Sequence, residues 1–416
     1  MNCTDAWTCL TRSLAPRSAS RRVVVLAAGV CLLLVASAPS EVTSAPVSNW
    51  TGTWAVAQVH DNSGKTFTDQ TLRQIVRISV GGKRIRVKIS NLFGTQPLRV
   101  EDVHLALRSS GSSIIASSDR QLRFAGSPAL IIPAGASAFS DPVAFDVPAL
   151  AELVISIYLP GTSGPATFHG SAHQTGYVQA GDVSSAPEMQ DVKTSKSIYF
   201  LAGLDVEGPS LRGSVVTLGA SITEGYNAAD DTNHRWPDQL ALRLAGQGLS
   251  IGVLNLGISG NRLLVNGSGE SVENRFERDV LEQTNVGWVI FSDDPINDLG
   301  SRPSPSGEEL IAALQRLIAR AHERKICFIC STLTPFEGAT AWTPAEETER
   351  QKINRFIRSD SSGCDGIVDQ DAATHDPAHP TRYLPAYDIG DHLHPNDAGH
   401  KAIANSVDLK IFGPRP

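Results

Sequence analysis

What most constrains this chain is a change of texture just after Glu207-Gly-Pro-Ser. Beyond that point short apolar runs alternate with helical spacing. Ser214-Val-Val-Thr-Leu-Gly is followed by Pro237-Asp-Gln-Leu-Ala-Leu-Arg-Leu-Ala, and then by apolar runs at 251–256 and 286–291. Residues 307–324 place Leu310, Ala313, Leu314, Leu317, Ile318 and Ala321 on one helical face. A strand at 326–333, a helix at 343–358, a strand at 366–369 and a last helix from near Asn396 complete the series. Alternation of this kind predicts an α/β domain over 211–416, its parallel sheet covered on both faces. Sites in such domains lie beyond the carboxyl ends of the strands.

The preceding stretch, 46–206, reads differently. Arg84-Ile-Arg-Val-Lys-Ile-Ser alternates polar and apolar residues, as a strand buried on one face does. Further strands are expected at 74–80, 103–108, 129–132, 143–147 and 153–159, separated by turns such as Gly81-Gly82 and Pro160-Gly-Thr-Ser-Gly-Pro. Many short strands predict an antiparallel β-sandwich of jelly-roll type. Two units suit a chain of 416 residues, and 41% hydrophobic with 19% charged residues suits buried cores. A net charge of −7 argues against a nucleic-acid partner.

Residues 1–45 read as a leader rather than as fold. Arg12, Arg17, Arg21 and Arg22 precede an apolar run at 23–35, with Ala36, Ser37 and Ala38 as a cleavage zone. The run is shorter than the ~20 residues of a membrane span, so export with a cleaved signal peptide is expected. Pro39 hinders cleavage after Ala38, which leaves a retained signal anchor as the alternative; no other membrane span is expected. Cys3, Cys9 and Cys31 fall in the leader, leaving Cys327, Cys330 and Cys364. Cys327 and Cys330, three apart on an expected strand, should point to opposite faces and read as ordinary core thiols.

The chemistry-bearing residues follow strands. Ser221, in Leu218-Gly-Ala-Ser-Ile-Thr-Glu-Gly-Tyr, comes directly after the first strand; alone, it reads as a serine capping a helix. A nucleophile needs a base, and Asp388-Ile-Gly-Asp-His-Leu-His-Pro offers one. Asp391 can fix the tautomer of His394, which can take the Ser221 proton and pass it to a leaving alkoxide. The competing reading makes Asp391, His392 and His394 metal ligands, but no second half-site accompanies them. Donors for an oxyanion are expected from the Gly260 amide, after the second strand, and the Asn297 side chain, after the third. Each alone is a Gly/Asn turn.

Together these blocks resemble the SGNH/GDSL hydrolase superfamily. Gly219-Ala-Ser-Ile-Thr is similar to its nucleophile block, Gly260 to the glycine block, Asn297-Asp298 to the asparagine block, and Asp391-His-Leu-His-Pro to the final block. The resemblance implies a flavodoxin-like three-layer domain, a Ser221/Asp391/His394 triad, and an oxyanion hole from the Ser221 and Gly260 amides with Asn297. Neither metal nor organic cofactor is implied. Asn233-His-Arg-Trp-Pro-Asp, Asn261-Arg-Leu-Leu, Thr334-Pro-Phe-Glu-Gly and, in the first domain, Trp50-Thr-Gly-Thr-Trp resemble an exported branch containing acetyl xylan esterase-like and lysophospholipase-like members. Two departures stand out. Ala220 replaces the usual Asp, and Asp293-Asp294-Pro295 stands where Gly is usual, which predicts a different path for the loop aiming Asn297.

The expected activity is hydrolysis of carboxylic esters through an acyl-enzyme, removing acetyl groups from carbohydrate. Lysophospholipid esters are the rival substrate, and a non-catalytic carbohydrate-binding protein is the rival class. Trp50, Trp54 and Tyr177 can stack on sugars, but structural support is the plainer role for the first domain. Asn49-Trp-Thr and Asn266-Gly-Ser match the glycosylation pattern.

Overall fold

A computed structural model describes residues 50–413. The leader with its three cysteines, and Asn49, lie outside the described residues. Five strands of the second half form one parallel sheet: β1 (Ser214–Gly219), β2 (Gly252–Gly257), β3 (Val286–Phe291), β4 (Cys327–Ser331) and β5 (Gly366–Val368). Their order is β2-β1-β3-β4-β5, every pair parallel. All six residues of β1 are buried, as expected for a central strand covered on both faces.

Six helices matter for the site: α1 (Ser221–Glu224), α2 (Trp236–Gly246), α3 (Asp294–Leu299), α4 (Gly307–Glu323), α5 (Pro344–Ile357) and α6 (Asp397–Ser406). The β1-to-β2 and β3-to-β4 connections run in opposite directions along the sheet. Right-handed crossovers therefore place α2 and α4 on opposite faces. α2 packs with α6, tied by Arg243 to the carbonyls of Ala404 and Val407, and α4 packs with α5. The six α4 residues assigned to the apolar face are all buried. Ser306 and Glu309 form a reciprocal capping box that starts this helix. Among the described residues no helix is long and apolar enough to cross a membrane.

The first half builds two large antiparallel sheets over one apolar core, with smaller sheets beside them. The larger runs Lys193–Ser195, Gly176–Ala180, Thr68–Arg77, Glu152–Thr162, Asp102–Ser110 and Ser113–Ile114; the other centres on Gly82–Ser90 between Leu201–Glu207 and Ser137–Phe139. Ile85, Val87 and Ile89 are buried and face a core shared with Leu72, Val76, Leu153, Ile155 and Ile157, while Arg84 is exposed. Alternation thus became a one-sided strand, as its period requires. Trp50 is buried beneath Arg86, 4.8 Å from its ring, and Tyr177 packs against a small cluster of Ile75, Ala106, Ile114 and Val154.

The two halves join along β2. Val56 bridges Asn255, the Val253 amide donates to Ser79 Oγ at 2.8 Å, and a Cβ on Gly252 would meet the Gly52 carbonyl oxygen at 1.9 Å. Only glycine permits that approach.

One reading needs correction. Cys330 is not an ordinary core thiol: it forms a disulfide with Cys364, at a Cα–Cα distance of 5.8 Å. Cys364 lies in the loop entering β5, beside β4, so adjacency in the sheet makes the pair. Spacing along the chain does not reveal it. Cys327 is buried and takes no part in that bond.

Candidate active site

In the β2-β1-β3 order the connections diverge at β1, and a crevice opens beyond its carboxyl end. Ser221 sits there, 8% exposed, as the first residue of α1. Its Oγ lies 2.8 Å from His394 Nε2. His394 Nδ1 lies 2.6 Å from Asp391 Oδ2, while the other Asp391 oxygen accepts the amides of His394 and Leu393 at 2.9 and 3.0 Å. A carboxylate only accepts, so Nδ1 carries the ring proton and the bare Nε2 accepts from the serine hydroxyl. Burial draws the Asp391 carboxyl upward, but the hydrogen bonds from His394 and Leu393 outweigh it and hold the group below its ordinary range. Tyr226 backs the imidazole, ring centroids 4.4 Å apart, and its amide donates to the Ser221 carbonyl at 2.8 Å.

His392, with φ +64°, turns away to Asp388 at 2.7 Å. Among the described residues no three His, Cys, Asp or Glu side chains converge as metal ligands.

Gly260 follows β2 with φ +75°, and a Cβ there would lie 2.7 Å from Ser268 Oγ. Asn297 lies in α3 and gives one amide hydrogen to the Asn261 carbonyl at 3.0 Å. Its neighbour Asp298 accepts the amides of Leu263 and Leu264 at 2.6 and 3.2 Å. Gly260 and Asn297 are therefore fastened to one another through the loop after β2. Pro295 falls in the first turn of α3, where its missing N–H costs nothing. The departure from the usual glycine thus appears as a short helix that carries Asn297.

Three features went unread in the sequence. Asp293, buried, accepts the Ile222 amide at 2.8 Å and the Thr223 hydroxyl at 2.6 Å. From the end of β3 it supplies a carboxylate to the nucleophile turn, where Ala220 carries none. Arg275, fully buried, donates to the carbonyls of Leu256 and Gly219 at 2.7 and 3.3 Å and so clasps the ends of β2 and β1. Beside it Asp294 is buried with neither oxygen hydrogen-bonded. Burial raises its carboxyl well above the ordinary range, although Arg275 opposes this. The sequence marked Asp293 and Asp294 as a departure from the usual glycine, but not these contacts.

The third feature is Glu224, at the end of α1. Ser259, next to Gly260, donates its hydroxyl to one carboxyl oxygen; the other lies 3.4 Å from Nε2 of His169, a residue of the first half. His169 Nδ1 donates to the Ala57 carbonyl at 2.8 Å. Burial pushes the Glu224 carboxyl up to about 7, against the pull of the Ser259 hydrogen bonds. Burial likewise drives His169 down to about 4. With Nδ1 protonated, the bare His169 Nε2 faces the Glu224 carboxyl across this 3.4 Å contact.

A doubly wound sheet with a serine, an imidazole and a carboxylate in series at its switch point is the arrangement of a serine hydrolase. Residues 217–402 match the GDSL-like lipase/acylhydrolase family. No curated protein matches the chain. Among solved structures it is similar to an acetylxylan esterase from Geobacillus stearothermophilus, with 24% identity, 48% of this chain and 94% of that one covered, and a TM-score of 0.37. A GDSL-like lipase from Bacteroides thetaiotaomicron shares 18% identity over 48% of this chain and 88% of its own, with a TM-score of 0.38. An alpha/beta hydrolase from the metagenome of Lake Arreo, Spain, shares 22% identity over 49% and 96%, with a TM-score of 0.37.

Proposed function

We propose that the protein is an exported esterase that deacetylates carbohydrate through an acyl-enzyme on Ser221. The observation that carries the reading is the unbroken relay from Ser221 Oγ to His394 Nε2 at 2.8 Å and from His394 Nδ1 to Asp391 at 2.6 Å. Ser221 Oγ attacks the ester carbonyl carbon while His394 Nε2 takes its proton. Asp391 stabilises the imidazolium without becoming protonated. The carbonyl oxygen, now negative, accepts from the Ser221 and Gly260 amides and from the second hydrogen of the Asn297 amide. Collapse breaks the bond to the alcohol oxygen, which leaves with the proton from His394. Water, activated by the same imidazole, then releases the acid and restores Ser221.

The acetyl and carbohydrate parts of the reading rest on the branch that the Asn233, Asn261 and Thr334 motifs resemble. Export rests on the leader, with a cleaved signal peptide in residues 1–45.

Acetate release from acetylated polysaccharide, wild type against Ser221→Ala, is the test. The wild type should release acetate and take one equivalent of an organophosphonate, and Ser221→Ala should do neither. Faster turnover of octanoate than of acetate esters would replace the carbohydrate reading by a lipid one. Absence of turnover on every ester would leave a binding protein.

A further inference from the structure

A cleft of about 800 Å³ opens between the two halves of the molecule. Its hydrolase wall includes Glu224 and Ser259; along the chain Ser259 precedes Gly260, and Glu224 ends the short helix that Ser221 begins. The first half builds the opposite wall. Phe168 and Tyr199 lie there, rings stacked 6.1 Å apart with 19° between their planes, and exposed Lys65 stands with them.

The strands beneath that wall, Val59–His60, Thr167–His169 and Ile198–Tyr199, form a small three-stranded sheet of their own. His169 is in its middle strand, 3% exposed, and meets the 4% exposed Glu224 across the junction. The aromatic wall is thereby set at a fixed place relative to the nucleophile turn. Two buried polar groups form the floor, an aromatic pair forms one side, and hydroxyl, ammonium and imidazole groups surround them.

This mixture selects among occupants. An alkyl chain gains little beside the exposed Lys65 ammonium group, whose water it would have to displace. A pyranose ring presents a C–H face to an aromatic side chain and hydroxyls to polar neighbours, and it matches both parts of the lining. We infer that this cleft is the subsite for the saccharide part of the ester, so that the first domain determines which carbohydrate reaches Ser221. The inference takes its place in the reaction from the esterase reading; its binding claim stands apart from it.

Calorimetric titration of the Ser221→Ala chain with an acetylated xylo-oligosaccharide tests the inference. The same titration is made on Ser221→Ala chains that also carry Phe168→Ala or Lys65→Ala, with thermal unfolding recorded for each. Affinity should weaken at least tenfold with Phe168→Ala and about threefold with Lys65→Ala, at unfolding midpoints near that of Ser221→Ala. Equal affinity in all three proteins, or no binding by Ser221→Ala itself, overturns the inference. Should Phe168→Ala unfold, the surface variant Lys65→Ala decides the matter alone. Aryl acetate turnover by the unsubstituted chain reports on the esterase reading separately. Saccharide binding that depends on Phe168, without aryl acetate turnover, keeps the cleft and removes the esterase.

Discussion

Replacing Glu224 with glutamine removes a buried acid while keeping its shape and both of its contacts. The glutamine oxygen can still accept from Ser259, and its NH₂ can donate to the bare Nε2 of His169. Burial pushes the native carboxyl up to about 7, from the 4.5 of the unfolded chain. At ~1.36 kcal/mol per unit this corresponds to roughly 3 kcal/mol. The sign follows from proton counting. Between the two values the folded protein holds a proton that the unfolded chain has lost, so stability falls as pH rises through this window and levels off above about 7. Urea unfolding at pH 5 and pH 8 should therefore show glutamine gaining on wild type by about 2–3 kcal/mol over that interval. His169 acts in the opposite sense, losing stability as pH falls from 6.5 toward about 4, but it is present in both proteins and cancels from the difference. A difference between variant and wild type that stays constant from pH 5 to pH 8 would refute the protonated Glu224 at the domain junction.

Three further outcomes are expected. Gly260→Ala forces a side chain onto φ +75° and against Ser268, so the amide donor shifts; kcat should fall roughly 10²–10³-fold with KM little changed. A rate near that of wild type in steady-state assays would remove Gly260 from the oxyanion hole. Asp391→Asn can donate to Nδ1 and so favours the wrong tautomer of His394. Its kcat should drop roughly 10³-fold or more, with phosphonate labelling of Ser221 slowed in parallel; undiminished labelling would exclude Asp391 as the partner. Replacing Cys330 and Cys364 together by alanine opens a loop of 34 residues and should lower the unfolding free energy by roughly 3–4 kcal/mol. Denaturant curves under non-reducing conditions that overlay those of wild type would disprove the link.

Sequence alone determined what depends on neighbours along the chain. The period-2 run around Arg84 became a strand buried on one face. The helical spacing from Leu310 to Ala321 became the buried face of α4. The meeting of Ser221, His394 and Asp391 was legible because Asp391 and His394 lie three apart in one loop and Ser221 directly follows a strand, although Ser221 alone reads as a helix cap. Asn297 was legible as a residue, but its setting in a short helix, fastened to Asn261, was not. Only the tertiary structure could pair Cys330 with Cys364, bring Asp293 to the amide of Ile222, or set His169 against Glu224. These contacts join segments whose closeness is decided by strand order and domain packing. No spacing in the sequence encodes them, because burial and hydrogen bonding act through space whereas periodicity acts only along the chain.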